Sequence, residues 1–157
     1  MAPESTEKLR YKRSSFSTPL PRHYPYSPSH YWLEPREGNV LRVGLTKFST
    51  RMLGDMVDLG FDAKPEASVD PGDVIGWIEG FKAIADIYCV AQGAFLGANP
   101  QLEQDIEHVS RSPYLEGWLF EVRGKPDERC VDVDGYARLL DEAIDRILEQ
   151  QRDEEAP

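Results

Sequence analysis

Basic charge is scarce in this sequence. Its 18 lysines and arginines face 28 aspartates and glutamates, which sets the formal net charge at −10. Such a chain is a poor ligand for nucleic acid, because phosphate binding needs net basic surface. The same excess of acid repels it from anionic membrane surfaces. Long apolar runs are missing as well, and none approaches the ~20 residues that a bilayer crossing needs. The opening MAPESTEKLRYKRSS lacks the apolar stretch of a secretory signal, so a cytoplasmic protein is expected. Cysteine is nearly absent. Cys89 and Cys130 are too few for a disulfide framework and suit a reducing compartment. The three histidines, His23, His30 and His108, show no ligand spacing, and no metal site is expected.

Catalytic signatures are missing too. There is no Gly-x-Gly-x-x-Gly, Walker-type loop, Gly-x-Ser-x-Gly or Cys-x-x-Cys. Gly76-Trp77-Ile78-Glu79-Gly80-Phe81-Lys82 has the wrong spacing for a phosphate loop, and Ala83 stands where a magnesium-binding hydroxyl would be needed. Asp132-Val133-Asp134-Gly135 lacks the remaining ligands of a calcium loop and is better read as a helix cap. No catalytic residue is assigned.

What is present is enough to build a core. The chain has 157 residues, 40% of them hydrophobic and 10% aromatic, which fits one domain with additional ends. Residues 1–23 are rich in Ser, Thr and Pro and carry a charge of +3, and they are expected to form a flexible N-terminal extension. Residues 24–126 read as mainly β with short helices. His30–Glu34 and Val40–Leu45 flank the turn 35–39. A short helix over Lys47–Leu53, capped by Thr46 and stopped by Gly54, would place Phe48 and Met52 on one face. Met56–Phe61 alternates as a half-buried strand, and Asp70-Pro71-Gly72-Asp73 is a turn. Val74–Glu79 and Ile84–Val90 are strongly apolar strands, Gln92-Gly93 turns into a strand at 94–96, and Gly117–Val122 is the last strand. In 127–157 the period changes. Tyr136, Leu139, Leu140, Ala143, Ile144, Ile147 and Leu148 recur at helical spacing, with Asp132 or Asp134 as cap, so an amphipathic helix should pack on the domain. In that helix, the acids and arginines fall on the opposite face.

Lys82 occupies a distinctive place. It lies in Gly80-Phe81-Lys82-Ala83, a short connection between two apolar strands, where a hairpin tip would hold its side chain in solvent on a rigid base. An ordinary solvated turn lysine accounts for this spacing, and so does an amine presented to a modifying enzyme. Cys89, on an apolar strand, is expected to be a buried and inert thiol, and Cys130 to be exposed in a polar linker. Trp77, Trp118, Tyr88 and Phe95 suit core packing better than pocket walls. Ser112-Pro113-Tyr114 is expected to make the turn into the last strand.

Val43-Gly44-Leu45-Thr46, Leu53-Gly54-Asp55-Met56-Val57, Gly76–Ala83, Asp86-Ile87-Tyr88, Gly93, Asn99-Pro100 and Ser112–Leu119 agree in order and spacing with one family. Over residues from about 24 to 123 the chain resembles the H protein of the glycine cleavage system, a lipoyl carrier. The resemblance implies a lipoyl-type barrel-sandwich hybrid plus a C-terminal amphipathic helix. It also implies lipoic acid in amide linkage to Lys82, with Glu79, Gly80, Phe81 and Ala83 forming the hairpin tip. A biotin carrier is disfavoured, because Phe81 and Ala83 replace the methionines that flank its lysine. The implied partners are a lipoate ligase or another lipoylation enzyme, dihydrolipoamide dehydrogenase and the enzymes of a pathway, with the carrier a monomer that catalyses nothing itself. The chain departs from the family's usual His-Glu-Trp, Glu-Ser-Val-Lys-Ala and Tyr-Ser-Pro at His30-Tyr31-Trp32, Glu79–Ala83 and Tyr88-Cys89-Val90. With the long N-terminal extension, these departures resemble the H-like lipoate-binding proteins of sulfur oxidation. That reading expects a sulfur species on the arm and a heterodisulfide-reductase-like complex as partner. The alternatives are an H protein carrying the aminomethyl group of glycine cleavage, and a lipoyl-like binding module with Lys82 unmodified.

Overall fold

Antiparallel pairing builds the body of this chain. The computed structural model describes residues 7–155. In chain order it runs β1 (Lys8–Arg13), β2 (Phe16–Pro21), β3 (Tyr31–Arg36), β4 (Val40–Leu45), α1 (Lys47–Leu53), β5 (Met56–Phe61), β6 (Ser68–Val69), β7 (Val74–Gly80), β8 (Ile84–Tyr88), β9 (Ala91–Ala98), α2 (His108–Arg111), β10 (Phe120–Pro126) and α3 (Val133–Glu155). Strands β3-β4-β10-β9-β6 form one sheet, β5-β7-β8 a second and β1-β2 a third. Side chains of the two larger sheets share one core, with Leu33, Val43, Ile78, Ile87, Phe95 and Phe120 among its deepest members. The sheets do not close into a continuous barrel, which agrees with the expected hybrid architecture. Among the described residues no helix is long and apolar enough to cross a membrane.

A second apolar cluster lies outside β3. Trp32 is fully buried there, and its indole N–H is shared between the carbonyls of Leu45 (3.1 Å) and Pro113 (2.9 Å). Gly44, paired with Trp32 across the ladder, makes room for the ring, since a Cβ there would lie 2.4 Å from it. Tyr26 stacks on Tyr136 of α3 at 4.8 Å and 8°. Tyr136, Leu140 and Ile144 form the buried stripe of α3, as its period requires. Asp132 provides the cap, accepting from the Gly135 N–H at 2.8 Å.

The expectation of a flexible extension fails for the described part of 1–23. Residues 8–21 form a hairpin whose inward face, Tyr11, Phe16 and Leu20, is buried in the second cluster. Polar anchors hold it to α3: Tyr11 donates to Asp141 at 2.8 Å, and Arg13 grips Asp145 with two bonds of 2.9 Å. Residues 1–6 of the expected extension lie outside the described residues.

Several local expectations also change. Gln92-Gly93 is not a turn but part of β9, paired with β10 through Gly93 and Gly124. The glycines are needed because a Cβ on Gly124 would lie 1.9 Å from the Gln92 carbonyl. A bulge between Met56 and Asp58 breaks the alternation read for β5 and exposes Val57. Strand β8 is an edge strand, and although its sequence is apolar, only Ile87 is buried. The Thr46 hydroxyl does not cap α1, because it bonds Tyr136 at 2.7 Å instead. Met52 is 52% exposed, whereas Phe48 packs edge-on against Phe16 at 5.8 Å.

His30 joins the same buried network. Its Nδ1 lies 2.8 Å from the Tyr136 hydroxyl and its ring 4.6 Å from Phe48, and burial pushes its pKa down to about 4. The unfolded chain therefore takes up a proton near the ordinary value of ~6.5 that the folded chain refuses until about pH 4. Stability should fall as the pH is lowered through that window. In thermal melts at stepped pH, His30→Gln is expected to flatten the decline relative to wild type, and parallel curves would contradict this origin.

Candidate functional site

The turn 80–83 is held from below. Its own closure is the Gly80 N–H on the Ala83 carbonyl at 2.8 Å. Two further bonds tie it to the junction of α1 and β5: Phe81 N–H to Asp55 O and Lys82 N–H to Leu53 O, both 2.8 Å. That junction can approach so closely because of two glycines. Gly54 sits at φ +82°, a conformation that side chains resist, and a Cβ on it would lie 2.9 Å from Lys82 Cγ. A Cβ on Gly80 would lie 2.2 Å from the Leu53 carbonyl. The backbone beneath Lys82 is therefore fixed by tertiary contacts as well as by the hairpin.

The side chains at the tip are free. Lys82 and Ala83 are exposed, Glu79 is half-buried, and Phe81 is 87% exposed. Lys82 Nζ makes one long contact, 3.4 Å to the Arg51 carbonyl. A shallow depression of about 300 Å³ beside it is lined by Lys47, Thr50, Arg51, Asp55 and Phe81. Ser110 also lines it, and its hydroxyl is without a hydrogen-bond partner among the described residues. Exposed Met52, Val57 and Ile84 add to the apolar surface around the tip. The arrangement presents one amine on a rigid pedestal. It suits attachment of a group that must leave the protein surface and return.

The other residues singled out in the sequence lie away from this tip. Phe95 is a core residue, Trp118 carries the Arg42 guanidinium 4.2 Å over its ring, and Tyr31 is buried with its hydroxyl accepting from the Tyr88 N–H at 3.0 Å. Cys89 is buried just beyond the end of β8 remote from Lys82, donating to the Ala91 carbonyl at 3.1 Å. Cys130 is half-buried against the core, which corrects the expectation that it is exposed. Burial pushes both thiols up to about 11, so neither supplies appreciable thiolate at neutral pH. Ellman's reagent at pH 7 is expected to label the folded chain slowly and to reach two equivalents only in denaturant. Fast labelling of the native chain would contradict this. What the sequence did not reveal is the supporting shell of Leu53, Gly54 and Asp55. Its one local signal was a helix-stopping glycine 28 residues before the lysine.

A family model described as glycine cleavage H-protein matches residues 24–142. The glycine cleavage system H protein of Edwardsiella ictaluri is 38% identical over 128 residues, spanning 78% of this chain and 98% of the relative. That of Rubrobacter xylanophilus is 36% identical over 125 residues, spanning 78% and 96%. The crystal structure of a glycine cleavage system H protein from Mycobacterium marinum superposes with a TM-score of 0.67 at 25% identity, covering 75% of this chain and 96% of that one.

Proposed function

The chain belongs to the glycine cleavage H-protein family, and on that premise we propose that it is a lipoyl carrier whose arm is attached to Lys82 and serves glycine cleavage. The observation that carries the proposal is the tip itself: an exposed amine on a turn pinned by two backbone bonds to Leu53 and Asp55. Lipoate fits there, since Nζ opens to solvent while Gly54 and Gly80 let the backbone seat closely underneath. When bound, lipoate supplies a dithiolane that opens to two thiols by two-electron exchange and can bear an aminomethyl cargo.

The protein's own part is positional. Amide formation removes the Lys82 charge, which makes it cheaper to bury the stem in a partner's active site. The fixed turn confines the tether to one end of the molecule, which raises the arm's effective concentration at a docked enzyme. It acts as a carrier subunit, with glycine decarboxylase, dihydrolipoamide dehydrogenase and a lipoylation enzyme as partners.

The sulfur-oxidation reading rests on departures at Tyr31, Gly80-Phe81 and Cys89-Val90, together with the N-terminal extension that precedes the family match. Packing gives three of these residues a structural job: Tyr31 bonds β8, Gly80 clears Leu53 and Cys89 is buried. The relatives compared are named for glycine cleavage, and they favour the aminomethyl cargo. The test is glycine–bicarbonate exchange with glycine decarboxylase and the lipoylated chain. Saturable exchange is expected. Failure to exchange, with sulfur transfer to a heterodisulfide-reductase-like complex instead, would overturn the glycine assignment.

A further inference from the structure

We propose that the outward face of the N-terminal hairpin, with Lys47 and Arg51 of α1, is a basic docking surface for an acidic patch on the enzyme that attaches the arm to Lys82. The proposal rests on the reading of Lys82 as the modified lysine. Because Leu9 and Tyr11 point inward, Lys8, Arg10 and Lys12 alternate on the outward face of β1. Opposite them in the ladder stand Pro21, Pro19 and Ser17, so no acid shares that face. None of these three cations, nor Lys47 or Arg51, forms an ion pair among the described residues.

The patch is continuous with the site. Lys47 lines both the open groove against β1 and the depression beside Lys82. Arg51 lies 5.7 Å over the Phe16 ring of the hairpin, while its carbonyl meets Lys82 Nζ at 3.4 Å. Helix α1 has seven residues and so spans only ~10 Å between hairpin and tip. A standard interface of ~800 Å² per partner is roughly 30 Å across. A footprint of that size centred on Lys82 would reach the hairpin.

Complementarity then specifies the partner. The chain's net charge of −10 opposes polyanions at long range, and a compact basic face within that field selects a partner with a local acidic patch. The groove is wide and open at about 740 Å³, with Lys8, Arg10 and Lys12 of β1 on one side and the half-buried Lys47 of α1 on the other, which suits a protein surface more than a small anion. Exposed Phe81 and Met52 supply an apolar centre to this basic rim, and Asp55 is the one acid lining the depression. The hairpin precedes residue 24, where the family match begins, so its three cations lie outside the matched body while Lys47 and Arg51 lie within it.

The experiment uses the full unlipoylated chain with lipoate ligase, ATP and lipoate, with initial rates read by intact mass across a salt series. R10E/K12E is compared with wild type and with K64E/K125E, an equal charge change at exposed lysines in the loop after β5 and in β10. At ~20 mM salt the hairpin variant should be slowed about tenfold or more. The gap should close to about twofold at ~0.5 M. K64E/K125E should stay near wild type throughout. Melting curves report whether reversal disturbs the hairpin. If it does, R10Q/K12Q makes the same comparison with half the charge change. Equal low-salt rates for the hairpin and control variants would overturn the inference. So would wild-type binding to anionic vesicles or duplex DNA that is lost in R10E/K12E while lipoylation is unchanged. A wild-type chain that accepts no lipoyl group would overturn the reading of Lys82 itself, an outcome that is distinct because it needs no variant.

Discussion

Lys82→Arg is expected to leave the fold intact and to reduce carrier turnover to background. The side chain is exposed and, among the described residues, its one polar contact is a 3.4 Å approach to the Arg51 carbonyl, which a guanidinium can also make. An exposed substitution of this kind typically changes stability by less than about 0.5 kcal/mol. The chemistry, by contrast, is lost outright: a guanidinium stays protonated at any working pH and forms no amide. The other lysines offer no substitute, since Lys8 and Lys12 lie in β1, Lys47 in α1, Lys125 in β10 and Lys64 in a loop. None of them is at the tip of a tight hairpin. Exchange assays on wild type and variant, with matched melting curves, provide the check. Residual turnover in the variant would mean that another group carries the cargo.

Gly54→Val is expected to have the second largest effect, by way of the pedestal instead of the amine. At φ +82° a β-branched residue is strained, at a cost of ~1–3 kcal/mol. Its Cβ would also lie 2.9 Å from Lys82 Cγ and 3.1 Å from Lys82 N. Overpacking at such a contact adds ~1–3 kcal/mol. Together these should lower stability by about 3 kcal/mol, or the turn will lift off Leu53 and relieve them. In the second case the bonds from Phe81 and Lys82 break, and a displacement of ~1 Å at a reacting group can cost about a hundredfold in rate. Lipoylation should therefore slow far more than in Gly38→Val, whose glycine also has positive φ but has open space around it. Equal rates for the two variants would show that the α1–β5 junction does not position Lys82.

These two effects mark what was legible in the sequence. The hairpin that carries Lys82 could be read directly, because apolar strands converge on a four-residue connection containing Gly80. The hairpin at β3–β4, helix α1 and the stripe of α3 were legible for similar reasons: each has a local period and a local stop. The support under the lysine was not, since the contact between Gly54 and Lys82 joins residues that only the three-stranded sheet brings together. Strand β8 misled for the opposite reason. Its residues are apolar, but its place at a sheet edge decides that Ile84 and Tyr88 are exposed. The N-terminal hairpin was hidden in a segment rich in serine and proline. The alternation of Phe16, Thr18 and Leu20 with Ser17 and Pro19 was present, but it needs Tyr136 and Leu140 of α3 before burial gives it meaning.

Peptide-level mass spectrometry of the wild-type protein after incubation with lipoate ligase, ATP and lipoate decides whether this chain is a carrier loaded at one lysine. The expected result is a single lipoyl increment, confined to the peptide that contains Lys82. An unmodified chain, or an increment on any other lysine, would contradict it.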